Sequence, residues 1–158
     1  MNKKIKILLS VLAGIALCVG VVYLVSNAAP GANDELPNTN NSTGPADRVD
    51  VVYFHRTQRC NTCLYAETAT RYTLETYFAD EMASGKVTFQ TINVEDEANA
   101  NIIAKYNNAS YLTLCINTVR GGADHIEKVT DIWYVIGDDE EFVEIVKSKV
   151  EQSLTGKA

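Results

Sequence analysis

Beyond residue 45 the sequence contains no proline. Its three prolines, Pro30, Pro37 and Pro45, all lie in the first 45 residues. Residues 46–158 therefore lack the residue that most often forms a cis peptide bond and that most often interrupts a helix. Residues 64–84 lack glycine as well, which favours a continuous helix over that stretch.

Positive charge is also scarce in the later part of the chain. All twenty acidic residues lie beyond residue 30, whereas Lys3, Lys4 and Lys6 are three of the fourteen basic residues. The other eleven basic residues leave this part with a net charge near −9, histidines aside. Such an acidic surface disfavours a nucleic acid as partner.

One long stretch near the N-terminus carries no charge. Residues 7–25 are nineteen uncharged, mostly apolar residues that follow a lysine-rich head. A helix of that length spans a bilayer, and the lysines are expected to stay in the cytoplasm. We therefore expect residues 1–27 to be a transmembrane anchor in the cell membrane, with the C-terminal domain extracytoplasmic. Residues 26–28 are small enough for cleavage, so a signal peptide that releases a secreted protein is the alternative.

Residues 28–47 are rich in asparagine, proline, glycine, serine and threonine and poor in apolar residues. This composition is typical of a flexible linker. The sequence thus divides into an anchor at residues 1–27, a linker at residues 28–47 and a globular domain at residues 48–156.

Two cysteines with two residues between them lie at the junction of a predicted strand and a predicted helix. Val51-Val52-Tyr53-Phe54 is a short apolar run that indicates a buried strand, and Cys60-Asn61-Thr62-Cys63 opens the helix that follows. In this context a C-x-x-C pair is typical of a redox-active dithiol.

The position of the pair suggests a role for each cysteine. Only a thiolate attacks a disulfide, and the N-terminus of a helix stabilises an anion. Cys60 is expected there, and we expect His55, Arg56 and Arg59 to lower its pKa further. Cys60 is therefore the predicted nucleophile, and Cys63, one turn on, is the predicted resolving thiol.

The other segments predict an α/β domain with the order β-α-β-α-β-β-α, in which Gly121-Gly122 forms a hairpin turn. This is the order of the thioredoxin fold, three layers with a central mixed sheet. We expect strands at residues 49–55, 86–94, 109–117 and 125–129, and helices at residues 63–83, 95–106, 130–136 and from residue 138 onwards.

Over residues 49–155 the sequence resembles thioredoxin-like proteins, and one branch of them more closely. The stretch from Tyr53 to Thr57, with Arg59, Cys60 and Cys63, is similar to the start of the nitrophenyl compound nitroreductase subunit ArsF family, and residues 131–142 are similar to its end. The resemblance implies an accessory redox subunit that works with a membrane electron-transfer component. No flavin or nicotinamide motif is present, so no cofactor is expected.

The sequence departs from thioredoxins in one loop. Thioredoxins resemble one another in a cis-proline that faces the C-x-x-C pair, whereas residues 108–112 here contain no proline. We expect trans peptide bonds in this loop, with Ser110 and Tyr111 as the substrate loop. The departure keeps an alternative open, in which Cys60, Cys63 and His55 bind a thiophilic metal or metalloid. The primary interpretation is thiol–disulfide exchange with a protein or small-molecule partner, without metal.

One further cysteine and one further histidine in the predicted domain are not expected to take part in the chemistry of the site. Cys115 falls well inside the third predicted strand, where a free cysteine usually behaves as a small buried hydrophobe facing away from the site. His125 falls on an edge strand and is expected at the surface.

Overall fold

The computed structural model describes residues 44–156 of the chain. The predicted anchor and all but the last four residues of the predicted linker lie outside these residues. Within residues 44–156, no helix is both long and apolar enough to cross a membrane.

The described residues fold with the predicted alternation of strands and helices. In chain order the elements are β1 (Arg48–His55), α1 (Asn61–Tyr77), α2 (Ala79–Ala83), β2 (Val87–Asn93), a 3-10 helix (Glu97–Asn99), α3 (Ala100–Lys105), β3 (Thr113–Arg120), β4 (Ala123–Lys128), a second 3-10 helix (Asp131–Tyr134) and α4 (Asp139–Thr155).

The four strands form one mixed sheet in the order β2-β1-β3-β4. Strand β1 is parallel to β2 and antiparallel to β3, and β4 is antiparallel to β3. The pairing places His55 beside Asn93, so β1 and β2 end at the same edge of the sheet. The chain leaves β1 at this edge and enters the loop that carries the cysteines.

Side chains alternate across β1 and build a core on each face of the sheet. On one face Val51 and Tyr53 pack in a buried cluster with Leu74 of α1 and Phe142 of α4. On the other face lies a smaller cluster in which α3 is the helical partner, comprising Val52, Phe54, Tyr106, Ala109 and Cys115. The predicted three-layer architecture is confirmed in the described domain.

The predicted helix at residues 63–83 is two helices. Phe78 has φ −132° and ψ 30°, which is not helical, and it separates α1 from α2. Its ring is buried in the core with α1. Burial of the ring therefore outweighs the helical propensity of a segment without glycine or proline.

The third strand begins at Thr113, four residues later than predicted. The segment that precedes the strand contains three residues with positive φ, namely Asn107 (55°), Asn108 (52°) and Leu112 (59°). A left-handed backbone cannot continue an extended strand. Residues 107–112 are therefore a loop, and all described peptide bonds, including those of this loop, are trans, as the lack of proline predicted.

The predicted hairpin between the last two strands is confirmed. Gly121 and Gly122 have φ values of 57° and 78° and connect Arg120 to Ala123, which pair directly. Positive φ at both central residues is the geometry of a tight two-residue hairpin, which glycine adopts without strain.

The core on the α1 face gives a test of the fold. Leu74→Ala is expected to lower the free energy of unfolding by about 2–5 kcal/mol, because Leu74 is fully buried and its truncation leaves a cavity. Leu64→Ala, on the same helix but at a half-exposed position, is the control and is expected to change it by under about 0.5 kcal/mol. Urea denaturation of both variants checks this, and equal losses would contradict the packing.

Candidate redox site

The two cysteines of the motif form a disulfide at the start of α1. Cys60 is the N-cap residue of this helix, and its Sγ accepts a hydrogen bond of 3.2 Å from the backbone N–H of Cys63. The Cα atoms lie 5.0 Å apart. A sulfur at this place meets the free N–H groups and the positive end of the helix dipole, both of which favour a thiolate once the bond is reduced.

The two sulfur-bearing residues differ in exposure. Cys60 is exposed, whereas Cys63 is only 3% exposed. An incoming thiolate can therefore reach Cys60, and Cys63 is screened by the domain. This asymmetry suits the predicted roles of Cys60 as nucleophile and Cys63 as resolving thiol, which stay predictions.

His55 and Arg56 lie where β1 gives way to the cysteine loop. His55 is half-buried at the end of the strand, and its Nδ1 lies 3.1 Å from the Arg56 carbonyl oxygen. Arg56 is exposed, and its guanidinium carbon lies 4.5 Å from the centre of the Tyr111 ring. This cation–π contact joins the cysteine loop to residues 107–112.

The predicted substrate loop is exposed next to the cysteine loop. Tyr111 is 44% exposed and Ser110 is exposed. The Ser110 hydroxyl lies 3.5 Å from the Tyr111 carbonyl oxygen. The structure therefore brings Tyr111 to Arg56, and the role of the loop in binding substrate stays a prediction.

Arg59 has a different environment from Arg56. Its guanidinium forms an ion pair with Glu67 of α1, and both side chains are only 21% exposed. The same guanidinium lies 5.9 Å from the centre of the Tyr53 ring. The positive charge of Arg59, which the sequence analysis expected to act on Cys60, is thus paired with the Glu67 carboxylate.

Buried polar atoms surround this ion pair. The Tyr53 hydroxyl and Arg59 Nε are both buried and have no hydrogen-bond partner among the described residues. Burial raises the pKa of Tyr53 to about 12. Arg71, one turn beyond Glu67 on α1, lies 3.6 Å from the same carboxylate. A single carboxylate therefore serves two guanidinium groups beside a neutral phenol.

A second network fixes the cysteine loop to the end of β2. The Thr57 N–H donates to the Glu95 carboxylate at 3.0 Å, and Asn93 Nδ2 donates to the Thr57 hydroxyl at 2.9 Å. The Glu95 N–H in turn donates to Asn93 Oδ1 at 3.0 Å. The loop before Cys60 is therefore tied at Thr57 to the end of β2.

Sequence reasoning missed Glu67, Asn93 and Glu95 as residues of the site. Glu67 could have been found, because it lies four residues after Cys63 and shares its face of the helix. Asn93 and Glu95 could be placed only through the parallel pairing of β1 with β2, which brings their strand ends together.

Cys115 and His125 lie away from the disulfide, as predicted. Cys115 is a buried free thiol in the cluster on the α3 side of the sheet, opposite α1. Burial raises its pKa to about 11. His125 is exposed on β4.

The alternative interpretation is a metal site, which would need a third ligand beside Cys60 and Cys63. Within residues 44–156, no group of three or more histidine, cysteine, aspartate or glutamate side chains is close enough to hold a metal ion. His55 does not join the two cysteines in such a group.

Solved thioredoxin structures are similar to this chain. Thioredoxin O2 from Arabidopsis thaliana in its oxidised state has 21% identity and a TM-score of 0.44, over 69% of this chain and 77% of that one. The Trx4 domain of ERdj5 has 15% identity and a TM-score of 0.43, over 67% and 82%. A thioredoxin from Thermus thermophilus has 14% identity and a TM-score of 0.42, over 67% and 76%.

No family model and no curated protein matches the sequence. The resemblance to the ArsF family therefore stays a prediction. The order of strands and helices is that of the thioredoxin fold, as predicted, and the geometry of the site carries the functional argument.

Burial of Cys115 predicts selective alkylation of the thiols. In the full chain reduced with dithiothreitol and treated with iodoacetamide at neutral pH, the peptide with Cys60 is expected to be labelled while the peptide with Cys115 is not. The reason is the low thiolate fraction of a buried thiol with a raised pKa. Peptide mass spectrometry checks this, with the protein unfolded in guanidinium as the control. Equal labelling of Cys60 and Cys115 in the native protein would show that Cys115 is accessible.

The hydrogen bond from Thr57 to Glu95 predicts a pH dependence. This bond holds the pKa of Glu95 below its usual range, so ionised Glu95 stabilises the fold above its unfolded pKa. The contribution is lost as pH falls through the lower folded pKa. Glu95→Gln is therefore expected to lower the melting temperature at pH 7, and the difference from the wild type is expected to shrink as the pH falls through the lowered folded pKa of Glu95.

The control for this series is Glu97→Gln, which alters a neighbouring exposed carboxylate. Thermal melts of the three proteins between pH 7 and pH 3 give the comparison. A gap between wild type and Glu95→Gln that widened at low pH would contradict the sign.

Proposed function

We propose that this chain is a thiol–disulfide oxidoreductase that uses the Cys60–Cys63 pair. The observation that carries the proposal is a disulfide with one exposed and one buried cysteine, at the N-terminus of a helix that follows a central strand. A purely structural disulfide has no need of this asymmetry.

The exchange is balanced over two steps when the domain oxidises a partner. A partner thiolate attacks Cys60 Sγ, the bond to Cys63 breaks, and Cys63 leaves as a thiolate that takes up a proton. A second partner thiolate then attacks the partner's sulfur in the mixed disulfide, and Cys60 leaves as a thiolate. Two electrons pass from the partner to the domain, which ends as a dithiol while the partner gains a disulfide.

The reverse direction uses the same two residues. The Cys60 thiolate attacks a partner disulfide and releases one partner thiol. Cys63 then attacks Cys60 Sγ, which releases the second partner thiol and closes the disulfide again. The helix N-terminus and the Cys63 N–H stabilise the Cys60 thiolate in both directions.

The partner is expected to approach over the surface that Arg56 and Tyr111 form. Both residues are exposed, and their contact brings residues 107–112 next to the cysteine loop. In the proposal Ser110 and Tyr111 lie under the partner's chain while its sulfur meets Cys60. Arg56 adds a positive charge to the surface that the partner would meet.

The proposed location is the outer side of the cell membrane, with the domain tethered by residues 1–27 and a partner in membrane electron transfer. The uncharged run at residues 7–25 supports the tether. Disulfides persist in extracytoplasmic compartments, which supports the location. Nitroaromatic reduction by the assembled complex is the finer function that the ArsF resemblance would add.

Single cysteine variants of the full chain test the proposed exchange. Cys60→Ser is expected to lower the rate of disulfide exchange with a small disulfide by at least about 100-fold, because the exposed nucleophile is lost. Cys63→Ser is expected to accumulate a mixed disulfide at Cys60, because no thiol resolves it. Absorbance assays of exchange and intact-mass measurements check the two outcomes.

Cys115→Ala is the matched control, since it removes a thiol outside the site and is expected to leave the exchange rate within about twofold of wild type. Full exchange activity in Cys60→Ser would overturn the proposal.

A further inference from the structure

Arg59 directly precedes the reactive cysteine, yet its charge is turned away into the domain. Its side chain is 21% exposed, pairs with Glu67 and lies against the Tyr53 ring. Arg56, three residues earlier, is exposed and has a ring contact with Tyr111. Of the two arginines in this short loop, Arg59 is therefore paired inside the domain, whereas Arg56 is exposed at the surface.

Glu67 is placed to cause this difference. It lies one turn beyond Cys63 on α1, so its side chain lies on the same face of the helix as Cys63. Its carboxylate accepts from Arg59 and also lies 3.6 Å from Arg71. Among the described residues, Glu67 is the carboxylate that holds Arg59.

Tyr53 is the second residue that contacts the Arg59 guanidinium. It is fully buried on β1, and its ring offers a face to the guanidinium at 5.9 Å. Arg59 Nε, buried and without a hydrogen-bond partner in the described part of the chain, shows that the guanidinium is drawn in even at the expense of one donor. The ion pair with Glu67 is the contact that offsets this loss.

We propose that Glu67 is a positioning residue that holds Arg59 against Tyr53, keeps its charge from the Cys60 sulfur and so makes the cysteine pair more reducing. The proposal rests on the proposed function, because it assigns a determinant of redox poise at the same site.

The direction follows from electrostatics. Positive charge near Cys60 stabilises its thiolate, hence the dithiol form, and raises the reduction potential. A guanidinium neutralised by a carboxylate does this less than a free one. The other charged groups around the loop are His55 at the end of β1, Arg56 in the loop itself and Glu95 just after β2. None of the three contacts Glu67 in the described structure.

The test compares reduction potentials of the wild type and Glu67→Gln in the full chain. Glutamine keeps the shape of the side chain and removes its charge. In glutathione buffers, the equilibrium of Glu67→Gln is expected to shift about tenfold toward the dithiol, which is about 30 mV. The midpoint of the pH profile for Cys60 alkylation is expected to fall by about one pH unit.

A double-variant cycle separates positioning from simple charge. In an Arg59→Gln background there is no Arg59 guanidinium to release, and only the exposed Arg71 loses its carboxylate partner. Glu67→Gln is therefore expected to shift the equilibrium by under about twofold in that background. Equal shifts in both backgrounds would show that Glu67 acts only as a charge. No shift in either would overturn the proposal as well.

Two further measurements keep the result clear. Glu75→Gln, on an exposed part of α1 about two turns further on, is expected to match the wild type. Far-UV circular dichroism and thermal melts show whether each variant is folded. The reduction potential belongs to the Cys60–Cys63 couple and the alkylation profile to the reduced Cys60 thiol, so both test Glu67 even if no partner is oxidised or reduced.

Discussion

The interaction on which the site depends is the capping of α1 by Cys60. Strand β1 ends at the same edge as β2, and the loop that follows places the sulfur of Cys60 at the first turn of the helix. The cap gives the sulfur a backbone N–H at 3.2 Å and the positive end of a helix dipole. Cys63, carried one turn inward, is buried by the same geometry. A single junction of strand and helix therefore decides which sulfur is reached, which is protected and which is stabilised as an anion.

Charge around this junction is divided between two arginines. Arg56 lies outward against Tyr111, where a partner would meet it, while Arg59 lies inward against Glu67 and Tyr53. Between them, Thr57 is hydrogen-bonded to Asn93 at the end of β2 and to Glu95 just beyond it. In our proposal Cys60 forms the cap, whereas Glu67 and Arg59 set the redox poise of the cysteine pair.

Much of this could be predicted from the sequence, because the strongest signals are local. The apolar run that ends at Phe54 and the cysteine spacing place β1 and the start of α1 to within two residues. The loop at residues 108–112 was predicted, but the late start of β3 at Thr113 was not. Asparagine tolerates the left-handed backbone that Asn107 and Asn108 adopt, whereas Leu112, which adopts it too, gives no turn signal in the sequence. The fate of Arg59 was also hidden. Its nearness to Cys60 along the chain suggested a direct effect, whereas the path of the loop brings it to Glu67.

The most direct test of the central claim is a redox titration of the full chain. The protein would be equilibrated in glutathione buffers of graded poise, acid-quenched and alkylated, and the fraction of Cys60–Cys63 disulfide measured by peptide mass spectrometry. A reversible couple at Cys60 and Cys63 predicts one transition that follows a two-electron curve, reached from both the oxidised and the reduced side. A pair that stays closed until the protein unfolds would be a structural disulfide, and a pair that never closes would be no redox couple. Either result would contradict the assignment.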